Sequence, residues 1–143
     1  MIVVDTNVLS EPMRPNADPA VADWLDRQRP DKLFLTTVTL AELLLGLELM
    51  PLGLRRSRLE ARISEVINVF GGRQTLAFDA PAARAFAVSV ARARAAGYAI
   101  GVADGQIAAI ASSHGFAVAT RDVAPFVAAG VPVIDPWAQG AQA

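Results

Sequence analysis

Six acidic residues stand where a strand has just ended or a helix is beginning, and they are the side chains best placed to do chemistry. Asp5 closes the opening run "MIVVD"; Asp79 lies in "FDAP", Asp122 in "ATRD" and Asp135 in "IDPW", each behind a short apolar run. Glu42 in "TTVTLAELLLGL" and Asp104 in "GVADGQIAAIAS" fall early in stretches of helical period. An acid at a helix start also has an ordinary use, as a cap that complements the helix dipole. That use accounts for Asp79, with proline in the first turn after it, and a proline turn accounts for Asp135. Glu42 sits among Leu40, Ala41, Leu43, Leu44 and Leu45, where an unpartnered carboxylate is costly. Asp104 shares a helix face with Ile107, Ala108 and Ala111. Carboxylates gathered without an arginine repel one another, and a divalent cation is the usual remedy. The chain has no cysteine, and its lone His114, in "SSHGF", reads as a helix-terminal residue. Oxygen donors alone favour Mg²⁺ or Mn²⁺ over zinc.

Positioning these acids requires an alternating α/β chain. Short β-branched runs alternate with longer helical stretches, the pattern of βαβ units around a parallel sheet. The sequence predicts strands over Ile2 to Val4, Leu33 to Thr36, Leu76 to Phe78, Ala117 to Ala119 and Val131 to Ile134. Helices are predicted at about 18–29, 38–50, 55–69, 80–96, 103–114 and 122–129. Asp18 before Pro19 is a further start signal; Gly97, Gly115 and Gly130 are stop signals, and Pro51 with Gly53 parts two helices. Ligands of an open parallel sheet bind outside its carboxyl edge, where strand order reverses. All six acids belong to that edge.

At 143 residues the chain fits one domain, 1–143, with "AQGAQA" from about 138 a loose C-terminal tail. Hydrophobic residues at 53% against 19% charged rule out disorder. The mean hydropathy of +0.36 leaves apolar surface for a subunit or partner interface. A net charge of −1 confines any nucleic-acid contact to a local patch. The absence of cysteine suits a reducing cytoplasm. "MIVVD" lacks the basic start of a signal peptide, and no apolar run reaches the roughly 18 residues of a membrane span, so a cytoplasmic protein without membrane attachment is expected.

Four segments, "VVDTNVLSEP", "TTVTLAELLLGL", "ADGQIAAIAS" and "VATRDVAPFVAAGVPVIDPW", resemble in order and spacing the PIN-domain toxins of the VapC family, in particular the FitB-like branch. The resemblance implies a three-layer α/β/α sandwich around a parallel five-stranded sheet of order 3-2-1-4-5. Asp5 and Asp122 then flank the switch point. It carries the family's acids onto Asp5, Glu42, Asp104 and Asp122, with Thr6 and Thr120 as supporting hydroxyls. At the fourth acid many relatives have asparagine and place an acid three residues later, where this chain has Pro125.

What the resemblance further implies is an Mg²⁺-dependent endoribonuclease, with Mn²⁺ as a substitute, acting as the toxin of a type II toxin-antitoxin pair. Asp5, Asp104 and Asp122 would hold the metal, and Glu42 would act through a water or orient and deprotonate it. Arg14 and Arg121 are candidates for the RNA backbone by position. The basic stretch of Arg55, Arg56, Arg58 and Arg62 reads rather as a solvated helix face pairing with Glu60 and Glu65. The implied partners are a ribbon-helix-helix antitoxin, a second copy of the chain as a homodimer, and DNA only through the antitoxin complex. The alternative in the same family is a non-catalytic PIN module that acts with a DNA-binding antitoxin in autoregulation. A haloacid-dehalogenase-like phosphatase wants an acid where the chain has Asn7, and a receiver wants a lysine that the only one, Lys32, does not supply.

Overall fold

A computed structural model describes residues 1–139, and the tail expected from about 138 lies for the most part outside them. The elements run β1 (Ile2–Val4), α1 (Thr6–Ser10), α2 (Pro19–Arg27), β2 (Leu33–Thr36), α3 (Thr37–Glu48), α4 (Leu54–Phe70), β3 (Thr75–Leu76), α5 (Ala80–Ala95), α6 (Val102–His114), β4 (Ala117–Ala119), α7 (Val123–Ala128) and β5 (Val133–Ile134). Short 3-10 turns occupy Glu11–Met13 and Pro30–Lys32. All strand pairs are parallel and the order is β3-β2-β1-β4-β5, as expected.

Successive strand residues point to opposite faces, and here both faces are covered, which is why the strands read as continuous apolar runs. Val4, Leu33, Leu35 and Ala119 face one core, closed by Val8 and Leu9 of α1, Trp24 of α2, Leu43 and Leu47 of α3, and Ile63 and Phe70 of α4. Val3 and Val118 face the other, closed by Val90 and Ala93 of α5, Ile107 and Ala108 of α6, and Phe126 of α7. The result is the three-layer sandwich. Helix α6 lies tightly on α5 at Gly105, where an added Cβ would stand 2.9 Å from both Phe86 and Val90. At the other end of α6, Gly115 takes φ 69°, a left-handed position that turns the chain into β4.

One helix and two strand boundaries differ from expectation. Helix α1 was not foreseen; the Asp5 carbonyl accepts from Val8 and Leu9 N–H and starts a turn whose Val8 and Leu9 side chains are buried. Strand β3 lies at Thr75–Leu76 instead of 76–78, because Asp79 N–H bonds back to the Ala77 carbonyl and ends the ladder as α5 begins. Strand β5 starts at Val133 instead of Val131, whose N–H goes to the Phe126 carbonyl and closes α7.

Candidate active site

The carboxyl edge of the sheet gathers the acids on four elements. Asp5 leaves β1 as the cap of α1, and its backbone N–H donates to the Ala119 carbonyl at 3.0 Å, so it is fixed to the end of β4 as well. Glu42 lies on α3, Asp104 in the first turn of α6 and Asp122 at the start of α7.

Asp5 is buried, 3% exposed, yet fully engaged: Oδ1 accepts from Thr6 N–H and Oδ2 from the Thr120 hydroxyl, both at 2.7 Å. Burial pushes its carboxyl up to about 6; the bonds from Thr120 and Thr6 pull it down, and the charges of Asp104 and Glu42 push it up again. Asp104, half-buried, is also raised, by burial first and then by Asp122 and Glu42. The four acids therefore feel one another through like charge. Among the described residues no arginine, lysine or histidine forms an ion pair with any of them.

The fourth acid separates structure from chemistry. Asp122 sits at the N-cap position of α7, but its side chain makes no capping bond, unlike those of Asp18 and Asp79 on α2 and α5. The capping explanation holds for Asp79, which accepts from Ala82 N–H, and a turn explanation for Asp135, which accepts from Trp137 N–H. It fails for Asp122. His114 ends α6 beside the Phe116 ring, as its sequence position implied.

Glu42 stands in a different setting from the one its leucine neighbours predict. It is not walled in by leucine: Leu44 and Leu45 are themselves exposed and Glu42 is on the open side of α3. Its Oε1 accepts from the Thr6 hydroxyl at 2.7 Å, which leaves Oε2 without a protein donor. Thr120 does two things, donating to Asp5 and accepting from Asp122 N–H at 3.0 Å.

Asn7, noted in the sequence only as an argument against a phosphatase, proves to be part of the assembly. Its Nδ2 donates to Thr120 Oγ1 at 3.2 Å and its Oδ1 accepts from Arg121 N–H at 3.3 Å. It clips the end of β1 to the end of β4, and the spacing "DTN" was the available signal. The arginines divide. Arg14 pairs with buried Glu11 at 3.2 Å, and Arg121 lies at the edge with its guanidinium 5.3 Å from the centre of the Trp137 ring. In the basic stretch Arg56 bonds Glu48 and the Met50 carbonyl, and Arg62 bonds the Pro12 carbonyl; they hold α4 in place instead of pairing with Glu60 and Glu65.

The family model described as "PIN domain" matches residues 2–130. The chain belongs to the PIN-domain family. Within it, the chain is 49% identical over 138 residues to the VapC ribonuclease Y4jK of Sinorhizobium fredii, covering 96% of this chain and 98% of that protein. It is 42% identical to the toxin FitB of Neisseria gonorrhoeae, covering 96% and 99%. The crystal structure of FitAcB from the same organism superposes with a TM-score of 0.89 at 40% identity over 96% of this chain and 99% of that one. The PIN sandwich and its strand order thus agree with the FitB-like resemblance in the sequence.

The donor set of this PIN domain fits a hard divalent ion: carboxylate oxygens only, in mutual repulsion, with no protein cation to neutralise them. Among the described residues no three acidic or imidazole side chains close on a single point. That spacing suits an ion that binds one or two carboxylates directly and keeps several waters.

Proposed function

We propose that this PIN-domain chain is a metal-dependent endoribonuclease, the toxin of a toxin-antitoxin pair. The observation that carries the reading is Asp122, an acid freed from the capping duty its position would assign, facing the same cluster as Asp5, Glu42 and Asp104. That also favours catalysis over a non-catalytic module, whose one sequence argument was Pro125.

One or two of Asp5, Asp104 and Asp122 would bind Mg²⁺, or Mn²⁺ in its place, directly, and the remaining acids with Glu42 would act through waters that the ion keeps. Bound there, the ion supplies charge neutralisation at the scissile phosphate and activation of the attacking water. The chain's own residues do the positioning. Thr6 and Thr120 hold the two Asp5 oxygens in a fixed plane through a backbone and a hydroxyl donor. The Thr6 hydroxyl holds Glu42 by one oxygen, so that the other can orient a water or take its proton.

A groove of about 340 Å³ lined by Leu9, Pro12, Met13, Leu25, Val66 and Phe70 supports binding of an apolar antitoxin segment, and none of the four acids lines it. Exposed Leu44, Leu45, Leu49, Leu52 and Leu54 support pairing with a second copy. A ribbon-helix-helix antitoxin would then make the DNA contacts, and the toxin would act on RNA in the cytoplasm. Among the described residues no helix is long and apolar enough to cross a membrane.

The test is cleavage of RNA by the chain freed of antitoxin, with and without Mg²⁺, beside Asp5→Asn. Cleavage that needs Mg²⁺ and vanishes in Asp5→Asn is expected. Equal cleavage by Asp5→Asn would remove the proposed site.

A further inference from the structure

Next to the acids, at the ends of the adjacent strands β4 and β5, lies a pair of side chains that the hydrolytic site does not use. Arg121 follows Thr120 directly and precedes Asp122, and its guanidinium carbon stands 5.3 Å from the centre of the Trp137 ring. Trp137 is a half-buried base plate: it packs against the core on the β1–α1 side of the sheet, and its backbone N–H is fixed by the Asp135 carboxylate at 3.0 Å. Arg121 is exposed, forms no ion pair among the described residues, and is anchored through its backbone N–H to Asn7. An arginine adjacent to an acid of such a cluster, as Arg121 is to Asp122, would ordinarily neutralise it. This one lies over an indole ring instead, held by the attraction between cation and ring face, which leaves the other face of its plane to solvent.

We propose that Arg121, backed by Trp137, is a stacking platform for one nucleobase of a single-stranded RNA, seated beside the phosphate to be cut. A planar guanidinium accepts any base on its face and adds charge attraction for the neighbouring phosphates. Unstacked bases of loops and ends can reach such a platform, whereas bases inside an A-form helix cannot. The platform therefore selects for single-stranded substrate. Its place on the chain also fits: the peptide that carries Arg121 is pinned by Asn7 to the strand that carries Asp5, so base seat and acids keep a fixed separation. The proposal rests on RNA being the substrate.

The chain has two tryptophans, Trp137 and the fully buried Trp24, and both can be replaced biosynthetically by 5-fluorotryptophan. The resulting ¹⁹F spectrum has a reporter and an internal reference, assigned with Trp137→Phe. The probes, added to metal-free protein so that nothing is cut, are an eight-nucleotide oligoadenylate, an abasic strand of the same length, and an RNA duplex. The expected result is a shift of the Trp137 signal with Trp24 unmoved, and binding of oligoadenylate roughly tenfold or more tighter than the abasic strand or the duplex. Arg121→Lys keeps the charge and loses the plane, so it should bind the abasic strand as before while losing the preference for bases. Equal affinity for all three probes, no binding of oligoadenylate, or a Trp137 signal that stays still while oligoadenylate binds would each overturn the platform. Mg²⁺-dependent cleavage by the unmutated chain is measured separately. If it is absent while base-dependent binding persists, the nuclease reading fails and the platform stands.

Discussion

Replacing Asp5 by asparagine should change the sign of its effect on stability with pH. Burial raises the Asp5 carboxyl from 3.8 to about 6, so the folded chain holds a proton that the unfolded chain has already released. Between those values stability falls as pH rises. The shift of about two units, at about 1.4 kcal/mol each, corresponds to about 3 kcal/mol lost by pH 7 in the metal-free protein. Asparagine does not ionise, so Asp5→Asn escapes that loss. It instead turns an amide N–H₂ toward the Thr120 hydroxyl or the Thr6 N–H, losing one hydrogen bond worth about 1 kcal/mol at every pH. The variant should therefore be about 1 kcal/mol less stable than the unmutated chain at pH 3, below both values, and about 2 kcal/mol more stable at pH 7. Urea unfolding at both pH values, in a chelator, measures the difference. Parallel pH dependence in the two proteins would refute the reasoning, because it would mean that Asp5 ionises in the fold as easily as in the unfolded chain. Adding Mg²⁺ at pH 7 should stabilise the unmutated chain and leave Asp5→Asn unmoved.

Thr120→Val removes the bond to Asp5 and the acceptor for Asn7 and Asp122 N–H; it should cost about 1–3 kcal/mol in urea unfolding and raise the Asp5 carboxyl further, seen in an NMR titration. Gly105→Val drives a branched side chain into Phe86 and Val90 and should cost about 1–3 kcal/mol, with RNA cleavage falling as the α6 turn that carries Asp104 shifts. Asp79→Ala loses only the α5 cap, so it should lower stability by about 1 kcal/mol in thermal unfolding and leave cleavage unchanged.

The sheet was legible because strands buried on both faces have no choice but to be apolar, as "IVV" and "AVA" are. The acids were legible because the carboxyl edge of such a sheet is known in advance. Helix α1 was not: five residues containing Thr6, Asn7 and Ser10 give no helical period, and it is the covering of Val8 and Leu9 that folds them. Glu42 was chosen on a mistaken premise, since a run of leucine cannot say which of its members face water; Leu43 and Leu47 do not, Leu44 and Leu45 do. The role of Asn7 depends on a partner 113 residues away, and that of Trp137 on the cation above it. Pairings across the sheet leave no local pattern to read.

The bond from Thr120 to Asp5 spans 115 residues, nearly the whole chain. During synthesis Asp5 leaves the ribosome well before Asp122, and at about 5–20 residues per second the interval between them is on the order of ten seconds. Through that time the nascent chain carries its central carboxylate with neither the hydroxyl that orients it nor the acid that faces it. A parallel strand inserted late, beside β1 and more than a hundred residues from it, is also a slow kind of contact to close. On the proposed function, the chain could not cut RNA in the machinery making it until β4 docks, and a chain cut short before Thr120 would never gain the ability.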